Sequence, residues 1–152
     1  MAQISREELQ AIVNEIFQSM INMDVVPCSE RSVSNKRAAY MASAVQIVGG
    51  WQGAVRLDIN EQLACNICAS LMSVPIGELS ARDVADAVGE LANIVGGSVK
   101  ALLAPNCALS LPSVVAGHDF EFNVIQGTLL RDASFTHPSG TLTVSVIERK
   151  ST

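Results

Sequence analysis

No run of basic residues in this chain is longer than Lys36-Arg37, and the formal net charge is −5. A protein that grips a phosphate backbone needs a clustered basic footprint, so nucleic acid is excluded as the expected partner. Apolar runs are short as well. None approaches the roughly 20 residues that a bilayer span requires, so no membrane partner is expected. The first ten residues, MAQISREELQ, are polar and acidic, unlike the basic then apolar start of a secretory signal. A soluble, cytoplasmic protein is the expectation. Familiar catalytic signatures are missing too. There is no G-x-x-x-x-G-K-[ST] loop, no G-x-G-x-x-G after a strand, no H-E-x-x-H and no G-x-S-x-G.

Four cysteines are present, but half of a zinc site is lacking. Cys65 and Cys68 form a C-x-x-C inside EQLACNICASLM, a segment of helical period rich in Ala, Ile and Leu. Cys28 and Cys107 stand alone, and His118 and His137 make no close pair. A reactive thiolate needs an electropositive neighbour, which the local sequence does not supply. Cys65 and Cys68 therefore read as buried, inert thiols, and no metal site is expected.

What the chain does have is apolar residues, 49% against 16% charged, enough over 152 residues to bury a core without cross-links. One domain spanning residues 1–152 is expected. Residues 5–23 read as a first helix. Ser5 and Glu8 form a capping box, and Leu9, Ile12, Val13, Ile16, Phe17, Met20 and Ile21 make a broad apolar face. Residues 27–39 read as a loop or irregular edge strand. From Tyr40 to Asn60, two alternating runs flank Gly49-Gly50-Trp51-Gln52-Gly53, a hairpin pattern in which Trp51 is expected to cap the packing. Asn60 is placed to cap a helix over Glu61–Met72. After a long helix, Cys107–Leu111 reads as a short extended run. Phe120, Phe122 and Val124 start a strand towards Leu130, and Thr141–Glu148 forms the last. Strand runs flanked by helices predict an α+β fold, an antiparallel-rich sheet with long helices packed on one face.

The most informative stretch is Ser80–Leu103. Ser80 and Asp83 make a second capping box. Val84, Val88, Leu91, Val95 and Leu102 share one face, while Asp83, Asp86, Glu90, Asn93 and Lys100 occupy an arc of roughly a quarter of the circumference. Asp86, Glu90 and Asn93 follow one another at i, i+4, i+7, so they stack along one edge with rises of about 6 Å and then about 4.5 Å. Two readings are open on this spacing. The stripe is a solvated helix face, or it is a ridge that inserts into a partner's active site. There an acid pairs with a lysine, and a carboxamide, both donor and acceptor, holds a water in line with a phosphoryl group.

The segment Asp86-Ala-Val-Gly-Glu90-Leu-Ala-Asn93-Ile-Val-Gly96-Gly97 resembles the D-x-x-x-E-x-x-N signature of the CheC/CheX/FliY chemotaxis phosphatases, with wording most similar to CheX. Val45 onward (VQIVGGWQGAVRLDI) is similar to that group's strand–Gly–strand unit. Leu111–Gly117 is similar to its Leu-Pro stretch, and Gly140-Thr-Leu-Thr-Val to its last strand. The resemblance implies a phosphatase that hydrolyses the aspartyl-phosphate of a CheY-type response regulator. Glu90 would pair with the regulator's lysine, Asn93 would orient the hydrolytic water, and Asp86 would orient the ridge or contact the partner. Mg²⁺ would belong to the regulator, with no cofactor in this chain. A non-catalytic adaptor using the same ridge on a regulator or flagellar-switch component is the alternative. Two-site members of the group carry a second E-x-x-N on the first helix. Here Glu7 is followed by Gln10 and Glu15 by Gln18, so one site per chain is expected, in a homodimer as CheX-like proteins are. Gly96 and Gly97 each cost a helix interior up to about 1 kcal/mol against alanine, which predicts close approach by the sheet or by the docking partner.

Overall fold

The computed structural model describes residues 3–29, 40–117 and 125–150. Helix α1 (Arg6–Ile16) is opened by the Ser5–Glu8 capping box, with both reciprocal hydrogen bonds present. The expected helix does not run uniformly to residue 23. At Phe17 the winding loosens to a π turn, Phe17–Ile21, closed by Asn22 in the left-handed conformation. That change keeps both Phe17 and Ile21 in the core, at 0% and 2% exposure. A short edge strand follows, β1 (Val26–Cys28), and residues 30–39 of the expected 27–39 loop lie outside the described residues.

The expected hairpin is β2 (Tyr40–Val48) and β3 (Gly53–Asn60), paired with Val45 opposite Val55 and Met41 opposite Ile59. Trp51 does cap it: the ring packs over Gly53, and its Nε1–H donates to Glu148 Oε2 at 2.8 Å. Helix α2 (Glu61–Met72) follows directly, yet Asn60 does not cap it with its side chain. Asn60 Oδ1 instead accepts from the Thr141 amide at 2.6 Å, tying the hairpin to the last strand. A single 3₁₀ turn, Ile76–Glu78, leads to helix α3 (Ala81–Leu103). Then come β4 (Ala108–Leu109), β5 (Ser113–Gly117), β6 (Gly127–His137) and β7 (Gly140–Arg149). Of the strand expected from Phe120 towards Leu130, residues 120–124 lie outside the described residues and Gly127 to Leu130 open β6.

All seven strands join one antiparallel sheet in the order β1-β6-β7-β3-β2-β4, with β5 also paired to β2. This is the expected α+β architecture. Alternate strand residues point to the helices: Val45 and Ile47, Val55, Leu57 and Ile59, Leu142, Val144 and Val146, and Phe135. They share a core with Leu9 and Val13 of α1, Leu63 and Ile67 of α2, and Val88, Leu91 and Val95 of α3. The opposite parity carries polar groups, among them an Arg56–Asp58 ion pair at 2.8 Å and a Ser134–Thr143 hydroxyl contact at 2.9 Å.

Helix α3 is clamped hardest. Val88, Leu91, Val95 and Val99 are at most 1% exposed, and each such side chain contributes roughly 1.5–3 kcal/mol on burial. Leu102, expected on this face, is 46% exposed because the last turn of α3 runs out beyond the packed core; Val99 fills that role instead. A methyl at Gly96 would overlap Val45 Cγ2, so the middle of the helix lies directly on β2.

Candidate functional site

The polar stripe of α3 divides once its contacts are known. Asp83 is used locally: its carboxylate accepts from the Ser80 amide at 2.9 Å, while the Asp83 amide donates to Ser80 Oγ at 3.0 Å. Lys100 is used at the other end, where its Nζ donates to the Pro105 carbonyl at 3.2 Å and closes the last turn. Between them stand Asp86 and Glu90, both exposed, and Asn93, half-buried. Among the described residues no side-chain hydrogen bond or ion pair engages any of the three. The ends of the stripe hold the helix, and its centre is free.

The helix screw fixes how these three stand. Taking Gly89 as the reference direction, Asn93 lies about 40°, Asp86 about 60° and Glu90 about 100° around the axis, at about 100° per residue. Their neighbours Val88, Leu91 and Ala92 are fully buried and anchor the opposite side. The ridge is thus a rigid presentation of two carboxylates and one carboxamide rather than a loop that must be ordered first. It contains no nucleophile and no base paired to one. What it offers is charge complementarity to a cation and a two-way hydrogen-bonding amide.

One border of the ridge comes from a segment distant in sequence. A Cβ on Gly89 would sit 3.2 Å from Val114 Cγ2 and 3.5 Å from Pro112 Cγ, so Pro112 and Val114 pack against the helix immediately beside Glu90. The sequence signal for this was the Leu-Pro pair, which has no periodicity to announce a contact 23 residues back along the chain.

The C-x-x-C lies elsewhere, on α2, with Cys65 half-buried and Cys68 buried. Burial first, then Glu61, pushes the Cys65 thiol up; burial first, then Asp83, pushes the Cys68 thiol up. Both shifts oppose a reactive thiolate. Cys68 Sγ contacts the Asp83 carbonyl at 3.3 Å, an ordinary helix-packing contact. Among the described residues, no group of three or more His, Cys, Asp or Glu side chains converges as a metal cage would. No helix there is long and apolar enough to cross a membrane. Of the two E-x-x-Q spacings, Glu7 and Gln10 both lie in α1, while Glu15 and Gln18 straddle the change from α to π winding.

A seven-stranded antiparallel sheet packed against three helices defines a class of fold with known members. CheX from Vibrio vulnificus superposes with a TM-score of 0.74 at 19% identity, over 95% of this chain and 99% of that one. CheX from Borrelia burgdorferi, solved as a CheX–CheY–BeF₃–Mg²⁺ complex, gives 0.73 at 15% identity, over 97% and 100%. FliY from Thermotoga maritima gives 0.62 at 17% identity, over 94% and 89%. No curated protein matched in sequence. The family model described as chemotaxis phosphatase CheX matches residues 41–129, from β2 through α3 to the start of β6, more than half of the chain. The chain belongs to the CheX family.

Proposed function

We propose that this protein hydrolyses the aspartyl-phosphate of a CheY-type response regulator, using the Glu90–Asn93 edge of α3. The observation that carries this reading is the unpartnered centre of the stripe: Asp86, Glu90 and Asn93 are held on a clamped helix while Asp83 and Lys100 are spent on its ends. Membership of a family described as chemotaxis phosphatases supports it, as does the Borrelia CheX having been captured with CheY.

In this reaction the ridge enters the regulator's active site, and the Glu90 carboxylate pairs with a lysine there. The Asn93 amide accepts a hydrogen bond from a water and aims its oxygen at phosphorus, opposite the aspartyl oxygen. As the water oxygen bonds to phosphorus, the bond from phosphorus to the aspartyl oxygen breaks. The regulator recovers its carboxylate and inorganic phosphate leaves with the water's protons. Mg²⁺ would be held by the regulator, where it would neutralise charge on the phosphoryl oxygens. Asp86 contacts the partner beside Glu90. The protein works as a homodimer in the cytoplasm, one site per chain.

Decay of a radiolabelled phospho-regulator, followed with and without the protein, tests this. Acceleration by the parent, with a loss of roughly 10²-fold or more in Asn93→Ala, is expected for a group that positions the attacking water. If Asn93→Ala and Glu90→Ala both act as well as the parent, the assignment is wrong. Complex formation with an unchanged decay rate in the parent would make the protein an adaptor instead.

A further inference from the structure

The Leu111 side chain is 89% exposed, the most exposed of the large apolar residues described. Its position results from a local device. β2 pairs with β4 at Ile47–Leu109 and with β5 at Ala44–Ser113. Two residues of β2, Val45 and Gln46, therefore face three on the other side: Ser110, Leu111 and Pro112. That one-residue excess is a β-bulge, a feature that re-aims side chains at sheet edges. The bulge is pinned on both sides of Leu111. The Ser110 amide donates to the Gln46 carbonyl at 2.9 Å, and the Gln46 amide donates to Ser110 Oγ at 2.8 Å. Pro112, which has no amide to leave unpaired, packs against α3 at Gly89. Leu111 is held out in water by a fixed backbone.

We propose that Leu111 is the apolar anchor of the regulator-docking surface, setting affinity while Glu90 and Asn93 act on the phosphoryl group; this rests on the function proposed above. Leu111 precedes Pro112 and Glu90 follows Gly89, so each stands one residue from the same contact. Standard backbone lengths put their Cα atoms within about 15 Å. One side of an ordinary interface, about 800 Å², is roughly 30 Å across, so Leu111 lies within reach of a partner centred on Glu90. A second observation shapes the same footprint. Gly96 is required by Val45, but a Cβ at Gly97 would meet nothing closer than Leu109 Cδ1 at 3.8 Å. Gly97 lies one turn beyond Asn93 on the ridge, where the fold has no use for glycine and a close-packed partner does.

Two measurements on the intact protein test this. The first is steady-state dephosphorylation of a CheY-type regulator charged with a small phosphodonor. The second is binding of the same regulator held with beryllofluoride and Mg²⁺. Leu111→Ala is expected to raise KM roughly tenfold and weaken binding in step, with kcat kept; Leu111→Met is expected to restore both. Gly97→Ala is expected to raise KM while raising Tm. Unchanged KM and binding in Leu111→Ala, while Asn93→Ala still abolishes turnover, overturns the anchor and leaves the phosphatase reading standing. A fall in kcat alone also overturns it, as does a shift from dimer to monomer at unchanged KM. If the parent binds the regulator without hydrolysing it, the phosphatase reading fails and the binding arm still decides Leu111. If the parent neither binds nor hydrolyses, both fall.

Discussion

Gly96 of α3 rests on Val45 of β2 so closely that a methyl group between them would overlap Val45 Cγ2. Its neighbour Gly97 has no such constraint, its built Cβ being 3.8 Å from the nearest atom. Of this adjacent pair, packing against the sheet requires glycine only at Gly96. Gly96→Ala is expected to lower stability by about 1–3 kcal/mol, since overpacking against the sheet outweighs the gain in helix propensity. Gly97→Ala is expected to gain up to about 1 kcal/mol. Chemical denaturation of the two variants, compared by midpoint at constant slope, separates them.

Glu90→Gln keeps the shape of the ridge and removes its charge. If Glu90 meets a lysine in the partner, this variant raises KM and flattens the dependence of KM on salt, because screening then has less attraction to weaken. A salt series from about 50 to about 300 mM reads the slope. An unchanged slope removes the charge pairing from the mechanism.

The Ser80–Asp83 box holds the first turn of the helix that carries the site. Ser80→Ala is expected to cost about 1 kcal/mol in thermal or denaturant unfolding. Asp86 lies six positions after Ser80, so the fraying stops short of the ridge. Turnover below the unfolding transition is expected to stay within about twofold of the parent.

The thiols of Cys65 and Cys68 are held above their ordinary value of 9.0, mainly by burial. Above that value the unfolded chain releases these protons while the folded chain retains them. Their contribution is therefore complete below the unfolded pKa and is lost as pH rises from about 9 towards the folded values. Replacing both by alanine is expected to make the alkaline loss of stability shallower between about pH 8 and about pH 10. Unfolding midpoints across that range for parent and double variant provide the check. An identical slope would contradict the shift.

Periodicity and capping chemistry sufficed for much of this. The Ser5–Glu8 and Ser80–Asp83 boxes, the alternating Tyr40–Asn60 hairpin and the buried run Val84, Val88, Leu91, Val95 are local patterns, written within a few residues of where they act. The D-x-x-x-E-x-x-N string belongs to the same kind, since i, i+4, i+7 on one helix edge follows from the screw alone. Tertiary contacts decided the rest. Which members of the polar stripe are free depends on Ser80 and Pro105 taking Asp83 and Lys100. Whether Asn60 caps α2 depends on an amide 81 residues away at Thr141, which outcompetes the adjacent helix. The bulge that exposes Leu111 exists only because β4 and β5 meet β2 with one residue to spare. Register between distant strands leaves no periodic trace in either strand, so that surface became visible only when the sheet was assembled.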